Sequence, residues 1–198
     1  TGGTVDKSAG FTGVFDGRGY TLLNGKYRAG GLFGAVAETG LIKNVGISNA
    51  TIDVSSSMFN AIIGYNLYGR IENAYINVNF SIADNGQPTA QTASILAMYM
   101  NAPANALKDV VIYATRDDNV TDSSPSSFVN WPGGVQSCQN AYLFTDIPFS
   151  TNVNAFTGIS TYSIAEIGTA AVEVTGLDET YWLIGDSGEV PVFRTAQA

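Results

Sequence analysis

Ile42-Lys43-Asn44-Val45-Gly46-Ile47 is echoed along the chain by Ile71-Glu72-Asn73-Ala74-Tyr75-Ile76 and Leu107-Lys108-Asp109-Val110-Val111-Ile112, and more weakly by Cys138-Gln139-Asn140-Ala141-Tyr142-Leu143. Each copy has an apolar residue, a polar one, Asn or Asp, then two apolar residues bracketing a variable one. Positions 44, 73, 109 and 140 stand 29, 36 and 31 residues apart. Self-similarity at a period of roughly 20–50 residues marks a solenoid, whose repeats bury their apolar sides only by stacking on one another. The pattern predicts an all-β solenoid of about four rungs over 1–150, with 151–198 as a capping segment.

The second copy fixes the facing. Ala74, Ile76, Val78, Phe80 and Ile82 alternate with Tyr75, Asn77, Asn79 and Ser81, the period of a strand with one buried face. The same register puts Val45, Ile47, Val110, Ile112, Ala141 and Leu143 inside. It lines up Lys43, Glu72, Lys108 and Gln139 outside, where opposite charges on neighbouring rungs attract. Asn44, Asn73, Asp109 and Asn140 are expected to form a structural ladder at one corner, their side chains satisfying backbone groups where the chain turns.

Outside the repeats, Phe11–Leu22 reads as two short strands around the Asp16-Gly17 turn. The small-residue runs Gly30–Gly34, Ala61–Gly64 and Ala93–Ala97 read as the strand that opens each repeat. Ser163–Gly168 reads as a short helix. Tyr181–Ile184 and Val190–Phe193 form an aromatic hairpin expected to close an exposed solenoid end.

Phe15-Asp16-Gly17, Gly31-Leu32-Phe33-Gly34 and Ile42-Lys43-Asn44-Val45, in that order, resemble the GLUG-type repeat of bacterial surface proteins. Trp182 with Gly188-Glu189-Val190-Pro191 resembles the ending that often follows such repeats. The first motif covers roughly residues 11–50, and the later copies are degenerate. The resemblance implies a right-handed parallel β-helix or similar solenoid, extracellular, on a bacterial cell surface or a phage particle. It carries over no catalytic residue.

Composition excludes much chemistry. There is no histidine, which removes Ser-His-Asp and Cys-His machinery and every histidine-containing metal site. The single cysteine, Cys138, stands in the apolar column with Ile42, Ile71 and Leu107 and reads as a small buried hydrophobe. A net charge of −8 offers no surplus cations for phosphates, so no nucleic-acid partner is expected. No apolar run is long enough to span a membrane, and no cofactor motif occurs. A start at Thr1 rather than Met suits a processed or excised chain.

Carboxylates are the remaining candidate catalysts. Asp53, Asp84, Asp117, Asp118 and Asp122 are scattered, and nothing in the pattern sets two of them on one face. Asp117, Asp118 and Asp122 could offer oxygen ligands to Ca²⁺, but they match no EF-hand spacing. The outward aromatics Tyr75, Tyr113, Tyr142 and Phe144 fall in adjacent columns. Either they meet a glycan or protein partner, or a loop or the C-terminal segment covers them. The function expected from the residues is a non-enzymatic structural or adhesive module. A carboxylate-dependent polysaccharide-degrading enzyme and a self-assembling subunit are the alternatives.

Overall fold

The computed structural model describes residues 6–27, 30–55, 59–82, 93–120, 126–149, 155–186 and 188–194. Among them there is no α-helix; Ile164–Glu166 forms one 3-10 turn where the short helix was expected. The strands are β1 (Val14–Asp16), β2 (Thr21–Leu23), β3 (Lys26–Tyr27), β4 (Ala35–Val36), β5 (Leu41–Asp53), β6 (Asn60–Ala61), β7 (Gly64–Leu67) and β8 (Arg70–Ser81). They continue with β9 (Ala93–Met100), β10 (Leu107–Arg116), β11 (Ser126–Pro132), β12 (Gln136–Thr145), β13 (Phe156–Tyr162), β14 (Trp182–Leu183) and β15 (Val192–Phe193).

Two parallel sheets carry the chain. The larger runs β1-β5-β8-β10-β12-β13, with β2 and β3 also along β5; the smaller runs β11-β9-β7-β4, with β6 beside β9. From β4 to β12 the chain passes back and forth between them. Ile42, Ile71, Leu107 and Cys138 pair in one row, and Ile47, Ile76, Ile112 and Leu143 in another. The second row is at most 2% exposed and belongs to one core with Ile95, Leu96 and Phe128 from the smaller sheet. The sheet also continues past residue 150, because β13 pairs in parallel with β12.

The recurrent Asn or Asp makes this burial possible. Asn44, Asn73, Asp109 and Asn140 all take positive φ, 54°, 48°, 54° and 49°. Strict alternation would put Ile42 and Val45 on opposite faces; one left-handed residue between them resets the phase, so both face the core. Asn and Asp tolerate that conformation better than other side-chain-bearing residues. Their amides also bond along the stack: Asn44 Nδ2 donates to Asp16 Oδ1 at 3.0 Å, Asn73 Nδ2 to Asn44 Oδ1 at 3.3 Å, and Asn140 Nδ2 to Asp109 Oδ1 at 2.7 Å. Asp109 has no N–H to give, and Asn73 Oδ1 is buried without a partner.

Several local expectations are corrected. β1 and β2 do not form a hairpin; both lie parallel to β5, and the left-handed residues between them are Arg18 and Gly19 rather than Gly17. Gly30–Gly34 is a turn rather than a strand. A side chain on Gly31 would sit 2.7 Å from Gly64 N and Ile62 O, so only glycine lets the two backbones approach there. In the outer charge column, Lys43 pairs with Asp16 at 3.7 Å and Glu72 with its own strand neighbour Arg70 at 3.8 Å. The register is as expected, with Lys43, Glu72, Lys108 and Gln139 side by side, while the ion pairs are local.

Two outcomes check this account. Ile76→Ala should destabilise by about 2–5 kcal/mol in a denaturant titration, because the site is fully buried on a rigid sheet. Asp109→Asn supplies the missing amide N–H to Asn73 Oδ1 and keeps an oxygen for Asn140, and should raise the denaturation midpoint by the equivalent of about 1 kcal/mol without changing the slope.

Candidate functional site

The aromatic column expected on the surface forms the floor of a second core. Tyr142 and Phe144 are buried, with Val111 between β8 and β12, while Tyr75 and Tyr113 are half-buried. Residues from 163–186 and 188–193 lie over them, contributing Val172, Leu177, Trp182 and Phe193. Trp182 meets Tyr75 edge-on at 6.4 Å and Phe193 at 5.1 Å; Tyr162 stacks on Phe144 at 5.4 Å. Tyr142 Oη donates to Thr175 O at 2.6 Å and accepts from Thr175 N at 3.0 Å, pinning the cover to the sheet. The β14–β15 pair therefore covers a flank of the larger sheet rather than closing an end. An aromatic face on a charge-poor strand is buried when an equally apolar segment of the same chain can reach it.

At the edge of this cover lies a cleft of roughly 400 Å³, lined by Thr21, Leu23, Ser48, Tyr75 and Val190–Phe193. Burial pushes the Tyr75 phenol above its ordinary range, and Asn77 Nδ2 donates to its oxygen at 3.2 Å. The lining holds no carboxylate, no amine and no cysteine. It can hold an apolar group and offers no acid–base chemistry.

The acids are distributed differently from expectation. Glu173, Asp186 and Glu189 line a smaller cleft of roughly 240 Å³ in the covering segment. All three are exposed, whereas hydrolysis by two carboxylates needs one of them held protonated, commonly by burial. Asp117 and Asp118 sit in an exposed turn, where Asp117 Oδ1 accepts from Asn79 Nδ2 at 2.7 Å. Asp84 and Asp122 lie outside the described residues. Asp53 is buried and accepts from Ser55 N at 2.9 Å, as the cap of a tight turn. Among the described residues, no group of three or more His, Cys, Asp or Glu is placed to hold a metal. Burial also raises the Cys138 thiol to about 11, so it is neutral at physiological pH and suits the packing role read from its column.

An exposed aromatic surface lies on the other sheet. Phe59, Tyr65 and Trp131 form an aromatic cluster, Phe59 meeting each of the other two edge-on with ring centroids 5.8 Å apart. Trp131 is 49% exposed and Tyr65 41%. The cross-strand row Trp131–Tyr99–Asn66 sets a half-buried phenol and an amide beside them. None of the five strands of this sheet contains an Asp, Glu, Lys or Arg. Sequence reasoning missed the cluster because these residues lie outside the Asn-bearing repeat. The signal was Tyr65 and Trp131 within strands wholly free of charge.

No family model, curated protein or solved structure matches the chain. Among the described residues, no helix is long and apolar enough to cross a membrane.

Tyr142→Phe tests the cover. Losing both hydrogen bonds to Thr175 should cost about 1–3 kcal/mol, and limited proteolysis should then release the segment after Tyr162 before the parallel sheets are cut.

Proposed function

We propose that this protein is a non-enzymatic, extracellular adhesive module: a right-handed parallel β-solenoid of the GLUG-type kind that binds a neutral glycan at a bacterial surface or on a phage particle. The observation that carries the reading is the Phe59–Tyr65–Trp131 cluster, with Tyr65 and Trp131 exposed, on the side of a sheet whose strands hold no charged residue. Flat aromatic area stacks on the C–H faces of sugar rings, and the Asn66 amide and Tyr65 hydroxyl can bond to ring hydroxyls. A charge-free platform favours a neutral chain over an acidic one, which would need Lys or Arg to balance it. The solenoid reading rests on the repeated return of the chain to two parallel sheets in constant register, and right-handed crossovers are the strong default for parallel strands. Four full repeats, on β5, β8, β10 and β12, are flanked in the larger sheet by one further strand line on either side.

The alternative of a carboxylate-dependent enzyme has one observation in its favour, the Glu173–Asp186–Glu189 cleft. A single panel separates the two. Neutral and acidic polysaccharides are run by affinity electrophoresis with the wild-type chain, Trp131→Ala, and Glu173→Gln with Glu189→Gln. The adhesive reading expects retardation by neutral polysaccharides, weakened at least about tenfold by Trp131→Ala, with chain lengths unchanged. Shortened polysaccharide that depends on Glu173 and Glu189 would replace it with the enzymatic reading.

A further inference from the structure

The two ends of the parallel stack are unlike each other and mutually suited. At the first end, β1, β2 and β3 pair with β5 on one side, and among the described residues no strand pairs with their other edge. Apolar exposure concentrates there: Val14 is 60% exposed, Leu23 65%, Leu22 40% and Leu32 42%. Behind them Phe11, Phe15 and Phe33 are half-buried, with Phe33 5.2 Å from Phe11 and 5.3 Å from Phe15. This is the cross-section of the core, left open at its first layer. At the other end β13 pairs, among the described residues, only with β12, and it has no charged residue to discourage addition of another strand. Ala155 and Ile159, half-buried, present the core's last layer beside Phe156 and Phe128.

The ends also match in backbone path. Gly158 in β13, at φ 79°, lies opposite Cys138–Asn140 and continues the left-handed column that begins with Arg18 and Gly19 at φ 53° and 81°. A side chain there would sit 2.3 Å from Cys138 O, so the kink is required by packing. All strands of the sheet run in one direction, so a second copy set with its β13 against β1–β3 meets them in parallel, with kink beside kink. Two identical first ends could face each other only by running antiparallel, which would break this column.

We propose that this face and its opposite form a head-to-tail interface between copies of the chain, extending the larger sheet across the junction. The contact is heterologous and does not close on itself, so the product is a linear array rather than a dimer. Each copy carries a net charge of −8, so association should strengthen as salt screens the repulsion.

The test uses the full 198-residue chain in sedimentation velocity over a concentration series at low and high salt. Two variants block one end each: Val14→Lys with Leu23→Lys at the first, and Thr157→Lys with Thr161→Lys at the second. All four positions are exposed in the single chain, and thermal melts verify that each variant is folded. The wild-type mass should climb with concentration, faster in high salt, without a plateau at two copies. Each blocked variant should stay at one copy. An equimolar mixture of the two should stop at two copies, because one intact first end meets one intact second end. A wild-type chain that stays single throughout overturns the proposal, as does a blocked variant that still dimerises alone.

Discussion

One backbone constraint underlies the rest of the structure: in β5, β8, β10, β12 and β13 of the larger sheet a residue must enter the left-handed region so that apolar residues on both sides of it face one core. Leaving the ordinary regions costs an L-residue roughly 1–2 kcal/mol, and less for Asn and Asp, whose side chains bond locally. The amide bonds from Asn44 to Asp16, from Asn73 to Asn44 and from Asn140 to Asp109 offset that cost at about 1 kcal/mol each. The position is thus restricted twice, by conformation and by the need for a donor and an acceptor along the stack. Asp109 meets the first requirement and only half of the second. Its carboxylate, a strong acceptor, takes the bond from Asn140 and leaves Asn73 Oδ1 unanswered.

The same column explains what could be read from the residues. A motif constrained twice recurs visibly, so the pairing of Ile42, Ile71, Leu107 and Cys138 and the inward row through Ile76 were legible before any coordinates. β13 was not. Gly158 provides the left-handed conformation without a side chain, which erases the Asn signature that marks the other strands. The cover over Tyr75 and Tyr142 was legible only as one of two alternatives, and for a different reason its parts were not. It is built from Val172, Leu177, Trp182 and Phe193, held in irregular backbone with no period, so only tertiary contact reveals that one aromatic set answers the other. Alternation says that a residue leaves the core; it does not say that the residue reaches water.

The two sheets handle their outward faces in opposite ways. The larger sheet mixes charges with tyrosines, and part of its outward face lies under an intramolecular cover pinned by Tyr142. The smaller sheet has neither charge in its strands nor, at Tyr65 and Trp131, full burial. In a chain with only 13% charged residues, well below the ~25% usual for soluble domains, solubility must come from Ser, Thr and Asn. Exposed aromatics are then more consequential than on a charged protein, because fewer hydrated groups surround them.

Rigidity links the platform to the stack. Phe59 and Tyr65 lie on one pass of the chain and Trp131 on a later one, with β9 between them, yet their rings meet because the passes are held in register by the core beneath. On the proposed reading, a surface assembled this way loses little side-chain freedom when it engages a partner, since Tyr65 and Trp131 are spaced by strands about 4.8 Å apart. Such a scaffold also lengthens without redesign, because adding a pass, or a copy, repeats the same contact. The left-handed column that allows each strand to bury both of its halves is therefore also what makes the surface periodic, and a periodic surface suits a ligand that is itself a repeat.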